Sequence, residues 1–446
     1  MSKQNVIAIF DVGKTNKKLF LFDEQYNIVF ERSARFSEIT DEDGDACENV
    51  EALRQSLLDS VNEVLETKEF ALKAINYSAY GASFVYLDKK GNVLTPLYNY
   101  LKKYPEALHK KFYKTYGGET EFAYRTASPV LGSLNSGLQL YRMKYEKPEL
   151  FQKIHSALHL PQYLSYLIIG KTVSDITSIG SHTSLWDFTK NNYHEWVKKE
   201  GIEEKLAPIF PCSEVVNIVY QNQKLVSGIG LHDSSAALIP YLVSFKEPFV
   251  LISTGTWNIT LNPFNQTPLT SDELQQDCLC YMSYEGKPVK ASRLFAGYEH
   301  DEHIKLLASH FDTSIQYYKQ VNFDPKLAEE LKRNESEKND IGDFRNYEAA
   351  YHHFMFHLLR KQKQAVDLVI TKNIKRIFVD GGFSKNSLFM NMLAALYPDK
   401  EVFAATIAQS TALGSALVIH QHWNNQLLPS GLIELKLYTT FLKSIS

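Results

Sequence analysis

A short polar turn that contains glycine follows a run of apolar residues at two places in this sequence, near the start of each half. Residues 6–10 lead into Asp-Val-Gly-Lys-Thr-Asn at 11–16, and residues 249–252 lead into Ser-Thr-Gly-Thr-Trp-Asn at 253–258. A second apolar run follows each turn, which is typical of a β-hairpin. Because a hairpin of one type opens each half of the chain, the sequence predicts two copies of one architecture.

The length of the chain also favours two domains. It has 446 residues, and single hydrophobic cores stop growing beyond roughly 250–300 residues. The stretch 244–248 is polar, contains a proline and directly precedes the second hairpin. We therefore place the boundary there and expect domains of residues 1–243 and 244–446.

Both helices and strands are predicted along the chain. We expect a strand at 71–77, and a helix at 160–169 that stops at Gly170, because glycine commonly ends helices. Apolar residues recur at helical spacing over 347–369 and predict one long amphipathic helix. Ser384 is a candidate N-cap for the helix that follows it. The pattern indicates mixed α/β structure.

Charge and composition exclude several kinds of partner. The net charge is −3 and the isoelectric point is near 6.5, whereas a protein that binds nucleic acid needs an excess of positive charge. No apolar stretch approaches the length needed to span a membrane, and the N-terminus shows no signal-peptide pattern. We expect a cytoplasmic protein without nucleic-acid or membrane partners, in which the four cysteines are free thiols.

The first turn has the residue types that bind phosphate. Glycine lets the main chain approach an anion, and short polar and cationic side chains add hydrogen-bond donors and charge. The candidates are Gly13, Lys14, Thr15, Asn16 and, just beyond the turn, Lys18. Asp11 immediately before the turn could hold Mg²⁺, directly or through water. A plain hairpin turn would use the same residues, so the turn by itself leaves both interpretations open.

The second half contains two further glycine-containing steps. Gly255 and Thr256 could form a second phosphate-binding turn, or only a tight connection. Gly381 and Gly382 stand between a predicted strand and a predicted helix, where a flat ligand such as adenine could approach the main chain. A glycine pair also serves any tight strand-to-helix turn.

The stretch Gly-Leu-His-Asp-Ser-Ser-Ala-Ala at 230–237 contains the candidate catalytic acid. Asp233 is flanked by small residues at a predicted helix start, so its carboxylate would be open to a substrate hydroxyl, as a general base must be. The alternative is that Asp233 or Ser234 only caps a helix that begins near Ala236.

Taken in order, these motifs resemble the FGGY carbohydrate kinases, which belong to the actin-like ATPase superfamily. The resemblance runs through nearly the whole chain and includes Ala-Leu-Gly-Ser-Ala at 412–416. It implies an α/β fold of two actin-like, ribonuclease H-like domains around a central cleft. It also implies an enzyme that uses ATP and Mg²⁺ to phosphorylate a sugar.

The resemblance assigns roles to individual positions. Asp233 matches the family's proton acceptor and Asp11 matches the acid near magnesium. The turns at 13–16 and 255–256 match the two phosphate-binding turns. The adenosine pocket and the sugar side are matched by a further set: Gly381, Gly382 and Asn386 for adenosine, and Gly81, Ala82 and His232 beside the sugar.

The chain also departs from the family pattern. Gln139 and Arg142 stand where a Lys and a Trp are usual, and Gln409 stands where a Glu usually begins the closing helix. Where relatives often have a Trp and an Asp-x-Arg, this chain has Tyr-Asn-Tyr-Leu-Lys at 98–102. We expect these residues to line the sugar side of the cleft: Tyr98, Asn99 and Tyr100.

The motif Asp-x-Gly-x-Thr-Asn at 11–16 is most similar to the L-fuculose branch, and His-Asp-Ser at 232–234 to both L-fuculose and L-rhamnulose kinases. These similarities favour a 6-deoxy-ketohexose as substrate. A kinase of a pentulose such as xylulose, and a catalytically silent sensor of sugar or nucleotide on the same fold, are the alternatives. The expected partners are the sugar and ATP, and a homodimer is left open.

Overall fold

The computed structural model describes residues 3–14, 16–333, 340–407 and 409–439. Thr15, one of the candidate phosphate-binding residues, lies outside the described residues. Within the described ranges, no helix is long and apolar enough to cross a lipid bilayer.

The first half of the chain forms a seven-stranded sheet. Strand Gln4–Val12 pairs antiparallel with Lys17–Asp23 and parallel with Phe70–Ala79, which confirms the first hairpin. Residues 6–10 are buried on both faces of the sheet, and this explains their continuous apolar run. In spatial order the strands are Val215–Tyr220, Gln223–Gly228, Phe70–Ala79, Gln4–Val12, Lys17–Asp23 and Ile28–Ala34, with Leu231–His232 also beside Phe70–Ala79.

The second half forms another seven-stranded sheet with the same central arrangement. Strand Phe249–Thr254 pairs antiparallel with Asn258–Asn262 and parallel with Arg376–Gly381, so the second hairpin is confirmed as well. Each half therefore places a hairpin beside a parallel strand, and the turn residues lie at the same edge as the end of that strand. In spatial order the strands are Cys278–Met282, Pro288–Leu294, Asn258–Asn262, Phe249–Thr254, Arg376–Gly381, Glu401–Thr406 and Glu434–Tyr438.

Short strands and helices complete both halves, and helices cover the sheets. Four two-stranded pairs join Ile39–Thr40 to Ala46–Cys47, Phe84–Leu87 to Ser156–His159, Ser174–Asp175 to Ile209–Phe210, and Trp186–Asp187 to Asn192–Tyr193. The α-helices are Val50–Glu66, Glu106–Thr115, Glu119–Thr126, Ser136–Glu146, Pro148–Lys153, Leu160–Ile169, Ile176–Ile179, Glu195–Lys199, Asp233–Ser244, Ser271–Gln275, Ala296–His310, Pro325–Arg333, Tyr347–Asp367, Ser387–Leu396, Ser410–Leu417 and His420–Trp423.

The helix predictions are confirmed in two places and wrong in a third. Helix Leu160–Ile169 ends at Gly170, whose φ of 65° is the left-handed conformation that glycine adopts without strain. The long helix is present as Tyr347–Asp367. Ser384 is not the cap of the following helix, because the side chain of Asn386 accepts the hydrogen bond from the Phe389 amide.

Two helices pack against each other behind the cleft and join the two halves. The helix Asp233–Ser244 contacts the helix Ser410–Leu417 so closely that a Cβ on Gly414 would lie 1.9 Å from the carbonyl oxygen of Ala236. Asn76, in the first sheet, donates a buried hydrogen bond to the carbonyl of Ser415 at 2.7 Å. The small residues of the closing segment 412–416 therefore permit a close contact between the halves. Asp233 is the first residue of one of the two packed helices and lies at its cleft end.

Candidate active site

Asp11 lies near the end of the central strand of the first sheet and is partly buried. Its Oδ1 accepts a hydrogen bond of 2.9 Å from Ser78 Oγ on the neighbouring parallel strand. Burial raises the pKa of Asp11 to about 6, and the nearby charge of Asp233 acts in the same direction, whereas Ser78 and Lys18 oppose the shift. The two carboxylates are thus close enough to repel each other, as expected for a shared site.

Asp233 is the first residue of its helix, and the helix begins three residues earlier than predicted. The N-cap position belongs to His232, whose side chain makes no capping bond. Asp233 Oδ1 accepts a hydrogen bond of 2.6 Å from its neighbour's amide, that of Ser234, and the side chain remains 35% exposed. Strand Leu231–His232 runs parallel to the end of Phe70–Ala79, so Asp233 emerges at the same sheet edge as Asp11.

The first turn is held mainly by contacts within its own half. The amide of Gly13 donates to the carbonyl of Asn16 at 2.9 Å, and Asn16 Oδ1 accepts from Arg35 Nε at 2.9 Å. Lys14 Nζ lies 3.0 Å from Glu38 Oε1 and 3.5 Å from a Glu48 oxygen. In this structure the Lys14 ammonium is therefore paired with carboxylates rather than directed at a free anion site.

Lys18 instead reaches the other half of the chain. Its Nζ lies 3.4 Å from Oε1 of Gln409, a residue in the left-handed conformation with φ of 59° at the start of the closing helix. Gln409 lines the cavity described next, so Lys18 brings positive charge to its edge. Lys18 Nζ also lies 3.4 Å from Glu31 Oε1 in its own half.

A cavity of about 330 Å³ lies between the two halves at this edge, a size typical of small-molecule sites. Asp11 is its contribution from the first half, and Thr254, Gly381 and Gly382 line it from the second. Gly381 has φ of 79°, and a Cβ there would lie 1.9 Å from the carbonyl oxygen of Thr254. Glycine is required at this position by both the backbone conformation and the close packing.

Gly255 and Thr256 continue directly from the cavity wall at Thr254. The Gly255 amide donates to the carbonyl of Trp257 at 3.0 Å, which closes a tight turn. A Cβ on Gly297 would lie 1.9 Å from the carbonyl oxygen of Gly255, so the helix Ala296–His310 begins directly against this turn. The turn is therefore fixed by backbone packing on both sides.

Asn386 occupies a supporting position beside the cavity. Besides capping its helix, it donates from Nδ2 to the hydroxyl of Tyr351 at 2.8 Å. The cavity wall nearby is formed instead by Ser384 and Lys385. The polar groups of Asn386 are thus satisfied by protein atoms, which fixes the position of the loop that carries the wall.

Several residues of the cavity wall were not identified from the sequence. Asp380 is buried, which raises its pKa to about 6, and it accepts a hydrogen bond from Tyr241 at 3.3 Å. Lys385 adds a cation and Ser384 a hydroxyl. A lysine three residues after a glycine pair is a signal that sequence reasoning could have used, whereas Asp380 has the position of an ordinary residue at the end of a strand.

Beside Asp233, the absence of a side chain at Gly81 allows close contact with His232. A Cβ on Gly81 would lie 2.3 Å from His232 Cδ2, and His232 Nε2 lies 3.5 Å from Asp233 Oδ1. The carbonyl of Ala82 accepts a hydrogen bond of 2.7 Å from Gln139 Nε2. Burial lowers the pKa of His232, so the imidazole is neutral near pH 7.

Segment 98–100 lies beside the 81–83 segment, since Ser83 Oγ donates to the carbonyl of Tyr98 at 2.9 Å. Burial raises the pKa of Tyr100, with Asp233 contributing, so the phenol lies near the candidate base. Asp41 and Asp43 are among the charges that raise the pKa of Tyr98, in addition to burial. Within the segment, Tyr100 is therefore the side chain that lies near Asp233.

Tyr98 and Asn99 line a second pocket. Its wall contains five positions at which the chain departs from the family pattern: Tyr98, Asn99, Lys102, Gln139 and Arg142. The charges there are paired, since Lys102 Nζ lies 2.7 Å from Asp43 and Arg142 Nε 2.5 Å from Glu146. These five residues are therefore neighbours in space and line one pocket. Gln139 connects the pocket to the 81–82 segment through its hydrogen bond to the Ala82 carbonyl.

The residues at the cleft fit a magnesium–nucleotide complex. Mg²⁺ is commonly held by one or two carboxylates together with phosphate oxygens and water, and Asp11 offers a carboxylate at the cavity wall. Among the residues that the structure describes, no three His, Cys, Asp or Glu side chains form a preassembled metal cluster.

Comparison with known families assigns the chain. The model of the N-terminal domain of the FGGY family of carbohydrate kinases matches residues 6–239, and the model of the FGGY carbohydrate kinase C-terminal domain matches residues 246–426. The chain therefore belongs to the FGGY family of carbohydrate kinases, as the order of its motifs indicated.

Individual relatives include a rhamnulokinase and an L-fuculokinase. The chain is 24% identical to the rhamnulokinase of Bacteroides thetaiotaomicron over 270 residues, which cover 58% of this chain and 54% of the relative. It is 23% identical to the L-fuculokinase of Escherichia coli strain K12 over 272 residues, covering 58% of this chain and 57% of the relative. The matching stretch spans little more than half the length of either relative.

Solved structures share the whole fold. A carbohydrate kinase from Novosphingobium aromaticivorans superposes with a TM-score of 0.79 at 23% identity, covering 97% of this chain and 96% of that one. A ligand-bound xylulose kinase from Lactobacillus acidophilus also gives 0.79, at 17% identity, with coverage of 98% and 94%. The expected fold of two actin-like α/β domains around a cleft is confirmed.

Replacing Gly381 with Ala is expected to raise the Michaelis constant for ATP at least tenfold. The new methyl carbon would lie 1.9 Å from the Thr254 carbonyl oxygen, so the backbone of the cavity wall must shift, and the left-handed φ adds about 1–2 kcal/mol of strain. Steady-state kinetics with varied ATP would measure the effect. Gly170→Ala is the matched control, because its φ is 65° and its Cβ would meet nothing within 4 Å; an equal rise there would contradict the prediction.

Proposed function

We propose that this protein is an ATP-dependent sugar kinase that transfers the γ-phosphoryl group of ATP to a hydroxyl of a small ketose. The observation that carries the proposal is the convergence of Asp11 and Asp233 beside a cavity that both halves of the chain line. Phosphoryl transfer needs bound phosphates, a metal near them and a base for the attacking hydroxyl. This cleft offers groups for each requirement.

The two halves take different parts in the proposed reaction. Residues 244–446 would hold most of the nucleotide, with Gly381 and Gly382 against adenosine and the 255–256 turn against the phosphates. Residues 1–243 would hold the sugar beside Gly81 and His232. The turn at 13–16 would complete the phosphate site, and Lys14 would first have to leave Glu38 and Glu48.

Asp233 is the proposed general base. Its exposed carboxylate would accept the proton of the sugar hydroxyl while the hydroxyl oxygen forms a bond to the γ-phosphorus and the bond to the ADP oxygen breaks. The hydrogen bond from the Ser234 amide holds the carboxylate in place. Asp11 would orient Mg²⁺, which supplies charge neutralisation for the transferred phosphoryl group when it is bound.

The substrate that we favour is a 6-deoxy-ketohexose such as L-fuculose or L-rhamnulose. The rhamnulokinase and L-fuculokinase matches support this assignment.

A catalytically silent sensor is the alternative from another functional class. It would be favoured if the departures from the family pattern had left unpaired charges or removed the cleft acids. Instead, Asp11 and Asp233 are both present, and the departures around Gln139 form a pocket with paired charges. This pattern is better explained by an altered substrate than by lost activity.

A panel of ketoses tests the proposal directly. We expect Mg²⁺-dependent release of ADP with L-fuculose or L-rhamnulose. We expect kcat/KM to be at least about tenfold lower with xylulose and ribulose, since a buried methyl group contributes about 1–3 kcal/mol of discrimination. A coupled ADP assay at saturating ATP would measure it. Preference for a pentulose would contradict the substrate, and uniformly absent turnover would contradict the kinase.

A further inference from the structure

A buried polar segment lies directly behind the candidate base. It runs from Asp175, which caps the short helix Ile176–Ile179, to Ser184. Within it, His182 is only 8% exposed, and neither of its ring nitrogens has a hydrogen-bond partner among the described residues. A buried polar group without a partner costs about 1–3 kcal/mol, so this imidazole needs an explanation.

The neighbours of His182 place it in the wall of the acceptor side. Its ring centroid lies 6.2 Å from that of His232, at an interplanar angle of 78°, and 6.1 Å from that of Tyr281, at 86°. The His232 ring in turn lies flat against Tyr281 at 5.6 Å. Since His232 contacts both Gly81 and Asp233, the three rings form one cluster at the site of the proposed sugar.

The cluster also spans the two halves of the molecule. Tyr281 belongs to strand Cys278–Met282 of the second sheet, whereas His182 and His232 belong to the first half. The nearby charge of Asp233 helps to raise the pKa of Tyr281, after burial, and that of Arg293 opposes the shift. A ligand beside His182 would therefore contact both halves, as a sugar in the cleft must.

The backbone around His182 is fixed, so the imidazole cannot easily turn away to find another partner. Its own carbonyl accepts a buried hydrogen bond of 2.8 Å from Asn135 Nδ2. The next residue, Thr183, donates from Oγ1 to the carbonyl of Ile179 at 2.6 Å. Thr177 Oγ1 accepts from the amide of His232 at 2.9 Å, which ties the segment to the residue before the base.

We propose that His182 is a further acceptor-binding residue, which hydrogen-bonds a sugar hydroxyl other than the one that receives the phosphoryl group. A neutral imidazole has one donor and one acceptor nitrogen, so it can bind a hydroxyl group in either direction. The ligand class is a polyhydroxylated acceptor with a second hydroxyl within reach. This inference rests on the proposed function and adds a residue that selects among ketoses.

Matched substitutions at two buried histidines test the inference. His182→Asn and His182→Phe are expected to raise the Michaelis constant for the preferred ketose roughly tenfold, the change produced by a hydrogen bond of about 1.4 kcal/mol. The turnover number and the Michaelis constant for ATP should stay within about twofold, because His182 lies behind Asp233 and not in the nucleotide cavity.

His194→Asn is the control. His194 is also buried, and its Nε2 also has no hydrogen-bond partner in the described part of the chain. Its ring packs on Phe122 at 4.8 Å, away from the cluster. Asn can replace it as the N-cap of the helix Glu195–Lys199. This variant should leave the Michaelis constant for the ketose unchanged, and thermal melting of all three variants would report their stability.

A series of ketose analogues that each lack one hydroxyl adds a second readout. The analogue that lacks the hydroxyl bound by His182 should bind the wild type more weakly than the full ketose does. Its Michaelis constant should not rise further in the His182 variants, because the same hydrogen bond is already absent. Unchanged Michaelis constants with a lowered melting temperature would overturn the inference and make His182 a structural residue. Absence of ketose turnover by the wild type would instead overturn the proposed function itself.

Discussion

Replacing Asp233 with Asn is expected to lower the turnover number for ketose phosphorylation by about 10²- to 10⁴-fold, the usual cost of losing a general base. Asparagine has nearly the same size and its side-chain oxygen can still accept the hydrogen bond from the Ser234 amide, which is 2.6 Å from Asp233 Oδ1 in the structure. The start of the helix should therefore survive, and the melting temperature should change little. Only the ability to take a proton is removed.

The measurement pairs two assays on the same protein. Single-turnover phosphorylation of the preferred ketose reports the chemical step, and calorimetric titration with ATP and Mg²⁺ reports nucleotide binding. We expect the first to collapse and the second to remain near the wild-type value. Ser234→Ala is the control, since it removes the hydroxyl that lies 3.3 Å from Asp233 Oδ1 but keeps the amide. A variant Asp233→Asn that works at the wild-type rate would leave Asp233 with a structural role only.

Replacing Asp11 with Asn is expected to have the second large effect, a loss of at least about 10²-fold in Mg²⁺-dependent turnover. The reason is that a bound metal ion typically stabilises the charge of the transition state by several kcal/mol. The variant should also require more Mg²⁺ for half-maximal rate, which a titration of the metal at fixed ATP would measure. A metal requirement equal to that of the wild type would remove Asp11 from the site. The fold should persist, since Asn can keep the hydrogen bond to Ser78.

The same variant has an expected signature in stability. Burial raises the pKa of Asp11 in the folded protein from 3.8 to about 6, so the ionised carboxylate destabilises the fold without its metal. The sign follows from linkage: the penalty is absent below about pH 4, grows as pH rises towards 6, and is complete above it. Two pKa units correspond to at most about 3 kcal/mol.

Thermal melting without Mg²⁺ or nucleotide should therefore show Asp11→Asn to be more stable than the wild type at pH 8 and equal to it near pH 4. Saturating Mg²⁺ and ATP should reverse the order at pH 8, because they stabilise the wild type by binding to it. A variant that is less stable than the wild type at every pH would show that the Asp11 carboxylate is satisfied by the protein alone.

Local sequence patterns predicted the elements well, since they depend on neighbours in the chain. Continuous apolar residues at 6–10 predicted a strand that is buried on both faces, and Gly170 predicted the end of a helix through its tolerance of positive φ. The duplicated hairpin predicted two similar halves before any contact between them was known. Serine and asparagine are both good helix caps, so the sequence could not choose between Ser384 and Asn386. The backbone geometry shows that Asn386 is the cap.

The arrangement of the site depended on contacts between residues far apart in the chain. Only the tertiary structure brings Lys18 within 3.4 Å of Gln409. It also places Tyr100 near Asp233 while Tyr98 lines the second pocket. The departures from the family pattern around Gln139 meet in that same pocket.

The sequence by itself determined the family, the two α/β halves and the residue types available for phosphoryl transfer, because motifs and periodicity are local properties. The tertiary structure decided that Asp11 and Asp233 share one cleft edge and that the His182 ring lies behind them with no hydrogen-bond partner among the residues that the structure describes. Those relations arise because the parallel strands of the first sheet end at one edge, where packing between the halves, rather than sequence order, sets which side chains meet.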